Sequence, residues 1–520
     1  MINRILNIGK QTVFWFSVLF MGFLWVVSLV STAYFNTETS FAEHPQYRMD
    51  SLSVNFFFIA VFFLILFYLS GRIKTERVPI RLLLIGSVSF VIASSLIWAS
   101  ISHTYPEADQ KAVSWVAWLT AQDNFLFFEH GKYMRIYPNQ LGLMAILEFL
   151  YRLAGEENWK LFMYVTALSN GAAVYLLYKI TDRLFRNRRM NCLVLLLSVG
   201  CIQMMLYTTF LYGIMLGLAL SLAGFLCLLY FLDEKSGKKK TVFCILAALF
   251  IGAAILVKNN YGIFLVAMVL LLLYKSLEKR DWKPILGAAV LILAAALMGK
   301  SLTAFYEARS GHTIGSGMPK SLWIAMGMQE GERAEGWYNE FNYNTFLETD
   351  CDPEKSDAIA RESIKESIRR FGADPVYALS FYYKKTVSQW NEPTYAALWV
   401  NQFHSGNFSR IVQSIYDGKL YQVLHEYMNL YQSLIFTAVL MCLLVRRGRW
   451  EPEQLFLALV ILGGFAFHTF WEAKSQYIFP YFVILLPYGA AGISDIVDTM
   501  LREWKRMRNR KEADWREDRT

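Results

Sequence analysis

Charge, paired cysteines and metal-ligand spacings are all scarce in this sequence, and each shortage narrows what the chain can be. Six cysteines occur in 520 residues. Five of them (Cys192, Cys201, Cys227, Cys244 and Cys442) lie in or beside apolar runs, and only Cys351 lies in a polar loop. No disulfide pair is evident from that set, and no metal-binding spacing appears. Charged residues make up 18% of the chain, against roughly 25% in soluble domains. A phosphate loop is missing as well. Gly315-Ser-Gly-Met-Pro-Lys-Ser321 lacks the Gly-Lys-Ser/Thr ending. No nucleophile elbow presents a serine.

What remains is apolar and comes in blocks. Hydrophobic residues reach 55%, aromatics 16%, and mean hydropathy is +0.31. The apolar runs are about 18–25 residues long, which at ~1.5 Å per residue spans a hydrocarbon core. They predict twelve membrane helices, near 12–34, 52–70, 81–101, 160–181, 190–206, 208–232, 241–257, 260–277, 284–304, 427–445, 454–472 and 476–497. The run from Gln11 to Phe35 is too long for a signal-peptide core and reads as a retained helix.

Lysine and arginine load every second loop: Arg72–Arg81, Lys179–Arg189, Lys235–Lys240, Lys275–Lys283, Arg446–Arg449 and the tail from Arg502. By the positive-inside rule these segments and both termini are cytoplasmic. The net charge of +9 is thereby explained by topology, with no nucleic-acid partner. The run after Tyr137 is about 16 residues long and carries Glu148, so it reads as an interfacial helix. If it crossed the membrane, Arg183–Arg189 would land outside.

The expected fold is therefore an all-α polytopic membrane protein. Residues 1–80 hold two N-terminal helices. Residues 81–304 form a membrane core with an outer loop at 102–159, which carries interfacial helices. Residues 305–426 form a second outer segment, mainly helical. Residues 427–500 return to the membrane, and 501–520 make a basic tail. In the second outer segment, Asp352-Pro353-Glu354 predicts a capped helix start that runs to Gly372. Asp374-Pro375 repeats the signal for a helix to Trp390.

The polar groups fit for chemistry fall on the outer side. All seven histidines (His44, His103, His130, His312, His404, His425 and His468) lie there or near outer helix ends. Asp109, in Tyr105-Pro-Glu-Ala-Asp-Gln110, starts an amphipathic stretch that reaches Gln122. A carboxylate there can deprotonate an acceptor hydroxyl or help hold a divalent cation, and Glu107 can share the role. Its plainer use is as a helix cap. Lys258 ends a helix at the outer face and is placed to pair with a lipid phosphate, or simply to snorkel. Glu472 and Lys474 sit in the short turn Trp471-Glu-Ala-Lys-Ser-Gln-Tyr477, where they can bind a head group or pair with each other.

These motifs together resemble the GT-C-fold membrane glycosyltransferases, of the family-39 type that includes protein mannosyltransferases and aminoarabinose transferases. The matching stretches are Glu107-Ala-Asp-Gln110, Tyr137-Pro-Asn-Gln-Leu-Gly142, Tyr212-Gly213, Lys258-Asn-Asn260, Trp323-Ile-Ala-Met-Gly327 and Trp471–Tyr477. The resemblance implies an inverting hexosyl or pentosyl transferase in the bacterial cytoplasmic membrane. Its donor would be a polyprenyl-phosphate-linked sugar, and its acceptor a glycan, lipid or protein on the outer face. Asp109 or Glu107 would be the base. Lys258, Lys474, Glu472, Tyr137, Asn139 and Gln140 would line the carrier and substrate site. Metal use varies within the class, so a divalent cation such as Mg or Mn stays open. The competing classes are a transporter or flippase and a polymerase of lipid-linked glycans. Transport calls for midplane polarity that runs such as Ala247–Leu256 lack. A polymerase would draw on outer-loop arginines: Arg309, Arg333, Arg361, Arg369, Arg370 and Arg410.

Overall fold

The computed structural model describes residues 2–35, 43–72, 75–403, 406 and 409–517. Among these, eleven helices are long and apolar enough to cross a membrane, and one bent pair makes a twelfth. The described residues are all-α apart from one small sheet, a polytopic membrane fold as the apolar blocks require.

Burial sorts the helices into centre and rim. The apolar windows of Lys419–Val445 and Phe479–Arg510 are 78% and 89% buried, whereas those of Leu52–Arg72 and Lys283–Ser310 are 17% buried. The rim helices turn Phe56, Phe57, Leu64, Leu293 and Leu297 outward. A large apolar exterior of this kind is stable against lipid, with every backbone group satisfied inside its own helix. In the centre, Gly492 lets two helices touch. A Cβ there would lie 1.8 Å from the Ala438 carbonyl oxygen.

One face of the bundle is tied by basic residues. Arg183 pairs with Asp233 and Arg189 with Asp498. Arg446 meets Asp495 at 2.7 Å, and Lys275 meets Glu453 at 2.8 Å. The opposite face carries the two long connecting segments. There the helix Leu141–Ala154 follows Ala108–Ala121, and neither is a candidate span. Helix Pro353–Ala373 starts as its capping signal predicts, with Asp352 accepting from the Glu354 and Lys355 amides. Asp374 likewise caps Pro375–Trp390 through the Tyr377 amide.

The structure corrects several boundaries. The first helix is Ile2–Val30, not 12–34, and gives way to a strand, Ser31–Phe35, paired antiparallel with Pro45–Met49. The expected helix 190–206 is two pieces, Arg188–Gly200 and Ile202–Thr209, bent by 49°. Buried polar ties hold the bend. Gln203 donates to the Pro393 carbonyl at 2.8 Å, and Asn170 to the Met204 carbonyl at 2.7 Å. The expected helix 208–232 begins only at Ile214, because Gly213 sits at φ +67°. Helices Lys283–Ser310, Lys419–Val445 and Leu486–Glu517 outrun their apolar stretches, since helix-forming polar residues continue them past the hydrocarbon.

Candidate active site

Five chain segments meet in a recess on the face with the long segments. The first is the start of helix Ala108–Ala121. Its Gln110 side chain turns inward and accepts the Leu211 amide at 2.6 Å, which fixes the neighbouring Asp109 against the turn 210–213. That turn is the second segment. Val257 passes so close to Gly213 that a Cβ would lie 2.4 Å from its Cγ1. The third is Lys258, extended just past the helix Gly237–Val257. Its ammonium lies 5.5 Å from the Tyr212 ring centre and 5.3 Å from that of Tyr477.

The fourth is the turn Trp471–Tyr477. Its Ala473 amide donates to the Gly336 carbonyl at 2.8 Å. Lys385, reaching in from helix Pro375–Trp390, donates to the carbonyls of Trp471, at 2.8 Å, and Gly327. The fifth is the strand pair between the first two membrane helices, which delivers Glu43. Lys474 and Arg333 each reach a different Glu43 oxygen at 2.7 Å.

Charge in this recess is dense, and Asp109, Glu472 and Lys258 have no ion-pair partner in it. Among the described residues, no cation lies within 4.0 Å of the Asp109 or Glu472 carboxylate, and no carboxylate lies within 4.0 Å of the Lys258 ammonium. Asp109 is exposed, with protein packed closely around its carboxylate. That desolvation lifts its carboxyl above the ordinary value, against the pull of Lys474 and Lys258. Burial likewise raises Glu472 to about 7. Lys258 drops to about 8 from burial, with Glu472 and Asp109 holding it from falling further. Lys385 drops to about 7 by burial. The recess therefore offers a carboxylate more basic than usual, a proton-bearing Glu472 and an uncommitted cation, all near neutral pH.

The site residues expected from the sequence separate into two groups. Asp109, Lys258, Glu472 and Lys474 feel one another's charge. Tyr137 belongs with them, since Asp109 and Glu472 help raise its hydroxyl. Glu107 instead pairs with Lys111 at 3.3 Å on the exposed side of its helix. Asn139 and Gln140 lie in the short turn Pro138–Gln140, Asn139 exposed and Gln140 half-buried. Lys474 is engaged by Glu43 and not by Glu472. His404 lies outside the described residues. Of the loop arginines, Arg309 is bound into a network with Glu148, while Arg361, Arg369 and Arg370 form surface pairs. Sequence reasoning missed Glu43, Lys385 and Arg333 as members of the site. No spacing signal joins them to Asp109, because folding alone brings their segments together.

A metal centre is not built here. No three His, Cys, Asp or Glu side chains gather in a metal-binding set among the described residues. Asp109 and Glu472 share their space with two ammonium groups. That donor set does not fit a divalent ion, which needs about six oxygens.

Beside Lys258 lies a narrow pocket whose walls include Ile214, Tyr261, Phe264, Tyr477, Pro480 and Tyr481. Its lining is mostly apolar.

Residues 141–299 match the family model described as dolichyl-phosphate-mannose-protein mannosyltransferase. The match supports the resemblance to GT-C glycosyltransferases drawn from the sequence. Among solved structures, the chain is similar to the archaeal oligosaccharyltransferase AglB from Archaeoglobus fulgidus, in complex with an inhibitory peptide and a dolichol-phosphate. Identity is 12% and the TM-score 0.45, over 84% of this chain and 52% of that one. The chain thus spans about half the length of that protein. It is also similar to ArnT from Cupriavidus metallidurans bound to undecaprenyl phosphate. There the identity is 12% and the TM-score 0.34, over 78% of this chain and 77% of that one. No curated protein matches the sequence.

Proposed function

We propose that the recess transfers a sugar from a polyprenyl-phosphate carrier to an acceptor hydroxyl on the outer face of the bacterial cytoplasmic membrane. The observation that carries this reading is one uncommitted cation, Lys258, and one uncommitted carboxylate, Asp109, within reach of each other's charge and beside a narrow apolar pocket. A polyprenyl phosphate has that same division, an anionic head on an apolar tail. Lys258 takes the phosphate, and the isoprenoid tail runs along the apolar surface beside it, where Tyr261, Phe264 and Tyr481 line the narrow pocket.

The chemistry then follows from charge. The bond between the anomeric carbon and the phosphate oxygen breaks, and the electron pair leaves with the phosphate. Lys258 stabilises that growing negative charge in a desolvated setting, where it counts for more than in water. The acceptor oxygen bonds to the same carbon from the opposite side, which inverts it. Its proton passes to Asp109, whose raised basicity suits a general base. Glu472, near its midpoint at neutral pH, holds a proton that can bond a sugar or phosphate oxygen. No step needs a metal.

The test is to offer purified protein in nanodiscs a panel of polyprenyl-phosphate sugars and follow consumption of each. Consumption of one donor is the expected result. If no donor is consumed, even with crude membrane acceptors added, the reading fails and translocation of a lipid-linked glycan becomes the next assay.

A further inference from the structure

Glu43 has no part in the reaction just described, yet it is the most firmly held carboxylate in the recess. Lys474 Nζ lies 2.7 Å from its Oε1, and Arg333 reaches Oε2 at 2.7 Å. Its side chain is 10% exposed. Burial pushes its carboxyl up, but Lys474 and Arg333 together prevail and hold it below the ordinary range. The strands that present it are anchored. The Phe35 ring packs 4.9 Å from Trp337 and 5.0 Å from Trp399, and Asn391 donates to the Ser31 carbonyl at 2.6 Å.

Two cations from separate segments, each on one oxygen of a single acid, are also placed to grip two oxygens of a phosphate. Here the acid is the protein's own. Lys474 stands two residues from Glu472 in the same turn and also acts on Asp109 and Lys258, so this second anion position adjoins the recess. One position, at Lys258, is free, and the other is filled from within.

We propose that Glu43 occupies a second anion position formed by Lys474 and Arg333, and so restricts the recess to carriers with a single phosphate. The inference rests on the reading of Lys258 as the phosphate-holding residue. A diphosphate carrier would bring its second phosphate against the Glu43 carboxylate. It would meet like charge where it needs cations, and both cations are already neutralised. Rejection of this kind needs a repulsive group as well as an attractive one.

The experiment measures equilibrium binding of polyprenyl monophosphate and polyprenyl diphosphate, of equal chain length, to the full chain in nanodiscs. Wild type is expected to favour the monophosphate. Glu43→Gln keeps the shape and removes the charge. It should strengthen diphosphate binding roughly tenfold while the monophosphate changes by less than about twofold. Adding Arg333→Met to that variant should cancel the gain. Should Glu43→Gln fail to fold, Glu43→Asp draws the charge back by one methylene and should give a smaller rise in the same direction. An unchanged ratio in a folded Glu43 variant, with monophosphate still bound, overturns the inference and leaves the reading of Lys258 standing. Equal wild-type affinity for the two carriers also overturns it. Wild-type binding of neither carrier overturns both.

Discussion

Two clusters of acids and bases lie on the same face of this molecule and are used in opposite ways. In the first, Glu148 of the interfacial helix Leu141–Ala154 is nearly buried. It is held by Arg152 at 3.0 Å, by Arg309 at 2.9 Å and by the Tyr306 hydroxyl. The same two arginines close on Asp123 at 2.7 and 2.9 Å. Each member has a partner, and the effect is to pin the first long segment to the end of helix Lys283–Ser310. In the second cluster, Asp109, Glu472 and Lys258 share a recess with no ion pair among them, Glu472 buried, Lys258 half-buried and Asp109 exposed. Leaving charges desolvated and unpaired costs stability, and proteins keep such arrangements where a ligand or a reaction supplies the missing partner. Composition alone does not distinguish the two clusters. Satisfaction does.

The sharpest way to break this contrast is Asp109→Asn. It should cut donor consumption by roughly 10²–10⁴, the usual worth of a general base, and leave the unfolding temperature where it was. Next in size is Lys258→Met. Removing a desolvated partner of the phosphate should weaken carrier binding by about 2 kcal/mol, roughly thirtyfold, read as a higher KM for the donor. Glu148→Gln should act on the other axis. It should lower stability by about 1–3 kcal/mol in thermal unfolding, with turnover kept at a permissive temperature.

A smaller effect comes from pH. As pH rises through about 7, Glu472 ionises and adds negative charge beside the carrier phosphate. Through about 8, Lys258 loses its positive charge. Both changes weaken phosphate binding, so donor kcat/KM should fall severalfold between pH 6 and pH 9. On the acid side it should fall as Asp109 protonates, above the pH of an ordinary aspartate. The smallest effect is expected from Glu107→Gln. The exposed pair with Lys111 is worth ~0–1 kcal/mol, so turnover should change by less than about twofold.

The membrane architecture was legible because lipid imposes one strong rule: helices of a set length, with basic residues at one end. Capping chemistry made Pro353–Ala373 and Pro375–Trp390 legible almost to the residue. The strands at 31–35 and 45–49 were not, because a five-residue strand beside a long apolar run has no periodicity of its own. Nor was the break at Cys201, which depends on buried ties to Asn170 and Pro393 from distant segments. At the candidate site, Asp109, Lys258, Glu472 and Lys474 could be picked out because charge at a helix end is conspicuous in so apolar a chain. Glu43 and Lys385 could not, and Arg333 stood out only as one of six outer-loop arginines. Each is an ordinary charged residue in its segment until the fold brings it to its partners.

The most direct measurement scores Asp109→Asn and Glu148→Gln side by side for donor consumption and thermal unfolding, in the same nanodiscs. The expected result is a clean exchange. Asp109→Asn should lose turnover and keep its unfolding temperature, while Glu148→Gln should keep turnover and unfold earlier. If Glu148→Gln abolished turnover at unchanged stability while Asp109→Asn remained active, the paired cluster would hold the chemistry, and the division drawn between the two would be wrong.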